Sequence, residues 1–412
     1  MSKELRNLWL TLCGKGVSSL GSKLFGFAMS FYILKLTGSA QSFAISLLLT
    51  TLPMVILSPV VGGIADRIDR KILVVGADFI SGIAMLIFFF MIPQSGLSLF
   101  TIYMAELILA ILFVFLSSAF GAAYPNIVSR ANLTKINAYS QGLDSILAIT
   151  APILGGIVYG LIDVKLFFLI NAISFLLSSV SELFIDFHMF GTGVQKQKSK
   201  EPFIQNLKEG FRYVSTQKTF MTIAMYALVI NFFLSGFSII LPVDLINYHG
   251  ISPQVNGIVQ AAFPIGAIVM SIYVGKKNIQ FSQGLFRNAM LLFSMMMFLF
   301  AVPVMPFVNL HLLVPFYYGI TLVGLSMVVI LVNVPLQVLF QVTIEDEYRG
   351  RAMGVLGAMS QGVMPIAYLL TGMLMAYIPS YVLLGFDALA LAVIALSVQR
   401  NSNLKEVAVS QG

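Results

Sequence analysis

The chain has 412 residues, of which 58% are hydrophobic and only 10% charged, with a formal net charge of +7. Soluble domains average about 25% charged residues, so the composition excludes a soluble globular protein and points to an all-α polytopic chain embedded in a lipid bilayer. The positive balance then needs no nucleic-acid partner, and a single cysteine, Cys13 within an apolar run, excludes a disulfide framework or a cysteine metal site.

Apolar runs long enough to cross a bilayer, for which about 20 residues are needed, occur in order at 8–34, 41–62, 72–93, 98–124, 137–160, 165–187, 219–246, 253–275, 284–307, 311–341, 351–378 and 380–399. The first run is too long for a signal-peptide core and has no cleavage site, so it is expected to remain as the first helix. Orientation follows from the basic residues. With both termini inside, all but four of the 24 Lys and Arg fall in cytoplasmic segments. Lys35 and Lys165 lie opposite, and Lys15 and Lys23 lie within the first span. The positive-inside rule therefore predicts a multi-pass protein of the cell inner (plasma) membrane with cytoplasmic termini.

The second and third spans are joined by Gly62-Gly63-Ile64-Ala65-Asp66-Arg67-Ile68-Asp69-Arg70-Lys71. The glycines let one helix end approach its neighbour closely. Asp66 is suited to face a helix N-terminus, while Arg67, Arg70 and Lys71 meet lipid headgroups. An ordinary positive-inside loop needs only Lys and Arg, not this Gly-Asp-Arg order.

The polar segment 188–218 carries Gln195-Lys-Gln-Lys-Ser-Lys200 and an amphipathic stretch from Phe203 to Tyr213. It reads as a cytoplasmic linker, part of it a helix along the membrane surface. The chain then divides into a six-helix bundle over 1–187, the linker, and a second six-helix bundle over 219–412. A shift of 213 residues puts Gly62 on Gly275 and Pro152 on Pro365, a weak internal repeat that agrees with the division.

The loop resembles the signature G-x-x-A-D-R-x-G-R-K of the major facilitator superfamily; the departure is Asp69, where that family has Gly. The resemblance implies a major facilitator fold of twelve helices in two parallel six-helix repeats, with a binding site between halves near the midplane. Ala151-Pro152-Ile153-Leu154-Gly155-Gly156 in the fifth span is similar to the G-P-x-x-G-G motif of the superfamily's antiporters, with Ala for the first Gly. Pro removes a donor and the glycines open a groove, so the helix can bend and pack closely; close packing alone, with no transport direction implied, is the other reading. Tyr139-Ser-Gln-Gly-Leu-Asp144, Tyr348-Arg-Gly-Arg351 and Pro365 resemble the macrolide-efflux group of drug:proton antiporters. Many such antiporters carry an Arg in the fourth span, which is absent from 98–124. The resemblance implies conformational gating by Gly62, Asp66, Arg67, Arg70, Lys71, Pro152, Gly155, Gly156, Arg349 and Arg351, with Asp66 meeting the start of the eleventh span.

Polar residues at membrane depth are expensive and mark candidate sites. Lys15, Ser18, Ser19, Ser22, Lys23 and Ser30 fall within an arc of about 140° on the first span. Tyr103, Glu106 and Ser117 share a face of the fourth span, Asn231, Ser235 and Ser238 of the seventh, and Asn333, Gln337 and Gln341 of the tenth. In the superfamily these four helices line the central cavity, which makes Lys15, Ser19, Lys23, Tyr103, Glu106, Asn231, Ser235, Asn333 and Gln337 substrate-cavity candidates; interhelical hydrogen bonding is the other reading. Glu106 and Asp144 are the proton-coupling candidates. Lys23 lies roughly 22 Å and Glu106 roughly 18 Å from the cytoplasmic side of the core, so these two are expected to pair. Asp78 and Glu182, on helices peripheral in the family, are expected to be structural.

Neither a nucleotide-binding P-loop nor a metalloprotease motif or nucleophile elbow is present; Gly14-Lys15-Gly16 lacks the glycine spacing. His188, His249 and His311 are scattered, so no metal and no cofactor are expected. The resulting expectation is a non-enzymatic, monomeric secondary active transporter that exports amphipathic organic molecules against protons. A lysophospholipid or siderophore transporter of the same fold, an uptake symporter, and a non-transporting membrane sensor remain the alternatives. Lys15 and Lys23 would suit an anionic group in the first of these.

Overall fold

The computed structural model describes residues 3–65, 68–93, 96–190, 203–308, 310–345 and 348–401. They form helices and connecting turns, with no strand among them. Twelve helical segments among them are long and apolar enough to span a membrane. Within the most apolar window of each, only 22% to 50% of residues are buried by the protein. Side chains such as Phe90, Phe100 and Phe316 stand at least 70% exposed. That much outward apolar surface is stable only against lipid.

The chain divides into two compact units, Met1–Thr37 with Ile45–Phe203, and Gly38–Ala44 with Ile204–Gly412. The first contains α1 (Lys3–Thr37), most of α2 (Ala40–Ala65), α3 (Arg70–Met91), α4 (Leu99–Ile127), α5 (Leu133–Tyr159) and α6 (Val164–Leu183). Buried Asn7 of α1 ties the end of α4 to the turn that follows α6. Its Nδ2 donates to the carbonyls of Ile127 (3.3 Å) and Asp186 (3.0 Å), and its Oδ1 accepts from the Asp186 N–H (3.1 Å). The Ile127 carbonyl ends α4 and has no intrahelical donor, so this amide supplies one.

The second unit contains α7 (Phe203–Thr216), α8 (Lys218–Val243), α9 (Pro253–Lys277), α10 (Gln283–Ala301), α11 (Val314–Thr343), α12 (Arg349–Gln361), α13 (Met364–Leu374) and α14 (Ser380–Arg400). A π-helical turn, Asp244–Tyr248, extends α8. α3 starts at Arg70 and α10 at Gln283, the same 213-residue offset that relates the prolines. Helix α7 occupies the amphipathic stretch of the linker; residues 191–202 lie outside the described residues. α7 packs on the start of α12: Tyr213 stacks on Tyr348 at 4.7 Å, and Glu209 pairs with Arg351.

The eleventh span, Arg351–Leu374, carries a two-residue turn at Gly362 and Val363 that separates α12 from α13. Pro365 has no N–H for the Gln361 carbonyl, and its ring would crowd that carbonyl. Gly362 beside it adds a weak helix former. Pro152, in contrast, sits within an unbroken α5.

Candidate functional site

The polar stripe of α1 meets α5 through Lys15. Its Nζ donates to Asp144 Oδ2 at 2.7 Å and to Ser140 Oγ at 2.6 Å. Tyr124 of α4 extends the network, its hydroxyl 3.2 Å from Ser140 Oγ. Ser140 and Asp144 are four residues apart on one helix face, so a single ammonium spans both. The side chains of Lys15 and Asp144 are 22% and 49% exposed, so the pair is open to solvent or ligand.

The expected pairing of Lys23 with Glu106 does not form. Lys23 is exposed on α1. Glu106 is buried at 4% exposure, and its Oε1 accepts from Ser46 of α2 at 2.8 Å. Its Oε2 meets no donor among the described residues. Equal depth supplied the axial coordinate, but the azimuth of Glu106 aims it at α2. Ser46 carried no sequence signal, being one Ser in an apolar run. Ser19 and Tyr103 are half-buried.

In the second unit, a cavity of about 50 Å³ lies among α8, α10 and α11. Its walls are mostly apolar, including Ile230, Phe286, Met290, Phe293 and Val332, and the amides of Asn231 and Asn333 are its polar groups. On this measure a water needs about 10–15 Å³, so the space suits a small organic moiety or a few waters. Asn231 Nδ2 is committed to the Ala227 carbonyl at 2.8 Å. Two other candidates lie elsewhere: Ser235 is buried at 2% exposure with no partner for Oγ among the described residues, and exposed Gln337 is not part of the cavity wall. Among the described residues, no group of three or more His, Cys, Asp or Glu could hold a metal ion.

Of the gating candidates, Asp66 and Arg67 lie outside the described residues. Gly62 lies in α2, Arg70 opens α3 and Arg349 opens α12. Asp69 is the N-cap of α3: its Oδ1 accepts from the Lys71 N–H at 2.8 Å, and its φ of −57° needs no special tolerance. The residue that departs from the family pattern thus serves as an ordinary cap. Its Oδ2 lies 3.0 Å from His188 Nε2. Lys71 Nζ donates to the Leu183 carbonyl at 2.7 Å, where a cation suits the C-terminus of α6. Arg351 is held by Glu209.

In α5, Ala151 and Gly156 are buried beside Pro152. A Cβ at Gly155 would stand 2.9 Å from Phe27 Cδ1, so this stretch is where α1 packs closely on α5.

A sequence model of the Major Facilitator Superfamily matches residues 11–368. Macrolide efflux protein A of Streptococcus pyogenes is 24% identical over 376 residues, covering 87% of each chain. Its namesake in Enterococcus faecalis is 25% identical over 345 residues, covering 80% of this chain and 99% of the relative. A crystal structure of a variant of the nucleoside transporter NupG covers 96% of this chain and 100% of its own, with a TM-score of 0.74 at 12% identity. At that identity the likeness concerns the fold.

Proposed function

The chain belongs to the Major Facilitator Superfamily, and on that premise we propose that this multi-pass membrane transporter exports amphipathic organic molecules by alternating access, driven by proton antiport. The observation that carries the substrate class is the cavity of the second unit, whose apolar wall and two amides suit an uncharged, largely apolar group. The similarity to proteins named for macrolide efflux supports both that class and the outward direction.

Proton coupling falls to two carboxyl groups of the first unit. Glu106 Oε2 is buried without a donor, and a proton on it makes the group neutral and removes the cost of a bare charge. Asp144 is already matched by Lys15, so protonating it releases that lysine. Lys15 is neutralised by Asp144, which weighs against an anionic, lysophospholipid-like substrate held by Lys15 and Lys23 together. The protein acts as a monomer in the cell membrane with both termini cytoplasmic.

A substrate screen in inverted membrane vesicles with an imposed pH gradient tests the reading. Gradient-dependent uptake of macrolide-like or other amphipathic compounds is expected. Uptake that ignores the pH gradient, or gradient-driven movement in the opposite sense, would overturn it.

A further inference from the structure

Asp78 of α3 and Glu182 of α6 are both 0% exposed, inside membrane-spanning helices. Three contacts define how those helices meet. Lys71 Nζ reaches the Leu183 carbonyl, Ser179 Oγ donates to the Val75 carbonyl at 3.1 Å, and Gly82 packs against Leu176 and Ala172. The helices are therefore antiparallel. Side chains lean toward their own helix N-terminus, so Asp78 leans toward the level of Val75 and Glu182 toward that of Ser178 and Ser179. The two carboxyls therefore lean toward each other at the same level of the α3–α6 interface.

Among the described residues, no cation pairs with either carboxyl. Lys15, on the packed face of α1, is taken by Asp144 and Ser140, and Lys71 by the Leu183 carbonyl. α1 closes the site at Gly14, where a Cβ would stand 2.8 Å from Ser181 Oγ and 3.2 Å from Ser178 Oγ. Ser178 donates to Glu182 Oε1 at 3.1 Å. The Ser18 hydroxyl, on α1, donates to the Gly14 carbonyl at 3.3 Å. As two carboxylates the pair would leave both oxygens of Asp78 and Oε2 of Glu182 without a donor. Two adjacent anions in a dry, low-dielectric interior repel each other and lose their hydration without compensation. One proton held between them removes the second charge and joins two of these three oxygens as donor and acceptor.

We propose that Asp78 and Glu182 form an intramembrane proton-binding site, holding one shared proton where α1, α3 and α6 meet. The site is separate from Glu106 and Asp144. Its existence does not depend on what the chain transports or in which direction.

Infrared difference spectroscopy of the purified full-length protein in lipid, at neutral pH, tests this. Wild type is compared with the double variant Asp78→Asn/Glu182→Gln. The expected result is loss of the carbonyl stretch of one protonated carboxylic acid per chain, a band that shifts in heavy water in the wild type. Loss of carboxylate bands alone would overturn the proposal, because it would mean that both groups are ionised. Should the double variant fail to fold, the single variants Asp78→Asn and Glu182→Gln decide. Each must remove or move the wild-type acid band, since each breaks the shared proton; an unchanged acid band in either overturns the proposal equally.

Discussion

Replacing Gly155 by Ala asks whether the Pro-Gly-Gly stretch of α5 is a packing site. The new Cβ would stand 2.9, 3.1 and 3.2 Å from Cδ1, Cγ and Cβ of Phe27. Ordinary contacts begin near 3.4 Å, so the neighbour must retreat by several tenths of an ångström at each. Two of the three atoms lie at the root of the Phe27 side chain, where a rotamer change gives little relief. Overpacking of this kind costs about 1–3 kcal/mol. Alanine recovers about 0.5–1 kcal/mol of helix propensity over glycine, leaving a net loss of about 0.5–2 kcal/mol. Gly26, on α1 one residue before Phe27, has nothing within 4 Å of its own Cβ position. Gly26→Ala is therefore expected to be neutral or stabilising. Thermal unfolding of the purified variants in detergent measures both. Adding Phe27→Leu to Gly155→Ala should recover much of the lost stability, with a coupling of about 0.5–3 kcal/mol. A Gly155→Ala protein that is as stable as wild type, yet fails in transport, would refute the packing argument and leave helix bending as the role of the motif.

Lys15→Gln and Asp144→Asn each remove a charge-assisted hydrogen bond, an interaction of about 1.5–3 kcal/mol, and should each lower vesicle transport by about tenfold or more; the exchange Lys15→Asp with Asp144→Lys should restore part of it, and full transport by either single variant would exclude a role for the pair. Glu106→Gln keeps an acceptor for Ser46, so it should insert and fold normally, retain downhill substrate exchange and lose pH-driven uphill transport. If uphill transport persists, Asp144 becomes the coupling candidate. Asp69→Ala removes the cap of α3 and should cost about 0.5–2 kcal/mol of stability, with Asp69→Asn much milder. Reporter fusions at Gly250 should read as external and those in α7 as cytoplasmic; the opposite readings would invert the topology.

The spans were legible in the sequence because hydropathy is a property of position along the chain, and bilayer thickness sets its length scale. The polar stripe on α1 was legible for a similar reason, since helical periodicity converts spacing into angle. Partner choice was not. Depth put Lys23 beside Glu106, but a helix has an azimuth as well as a height, and the packing of α4 on its neighbours aimed Glu106 at Ser46. Lys15 found Asp144 instead, through a serine one turn away whose meaning appears only once α1 lies on α5. The convergence of Asp78 and Glu182 depends on an antiparallel register between α3 and α6 that no local pattern encodes. The two prolines illustrate the same limit. Pro152 leaves α5 intact, whereas Pro365, three residues after Gly362, coincides with the turn between α12 and α13.

That division gives the second unit an articulated rod in place of a rigid one. An unbroken α-helix resists twisting because each turn is bolted to the next through its backbone hydrogen bonds. Where Pro365 interrupts the ladder, torsional stiffness drops, and the two pieces have different moorings. On one side, α12 is fastened to α7 by Arg351–Glu209 and by the stacked rings of Tyr348 and Tyr213. On the other, α13 is seated by Gly372, where even a Cβ would fall 2.4 Å from that of Ala44. The weakest rung of the span thus lies between a half fastened to α7 and a half seated against Ala44.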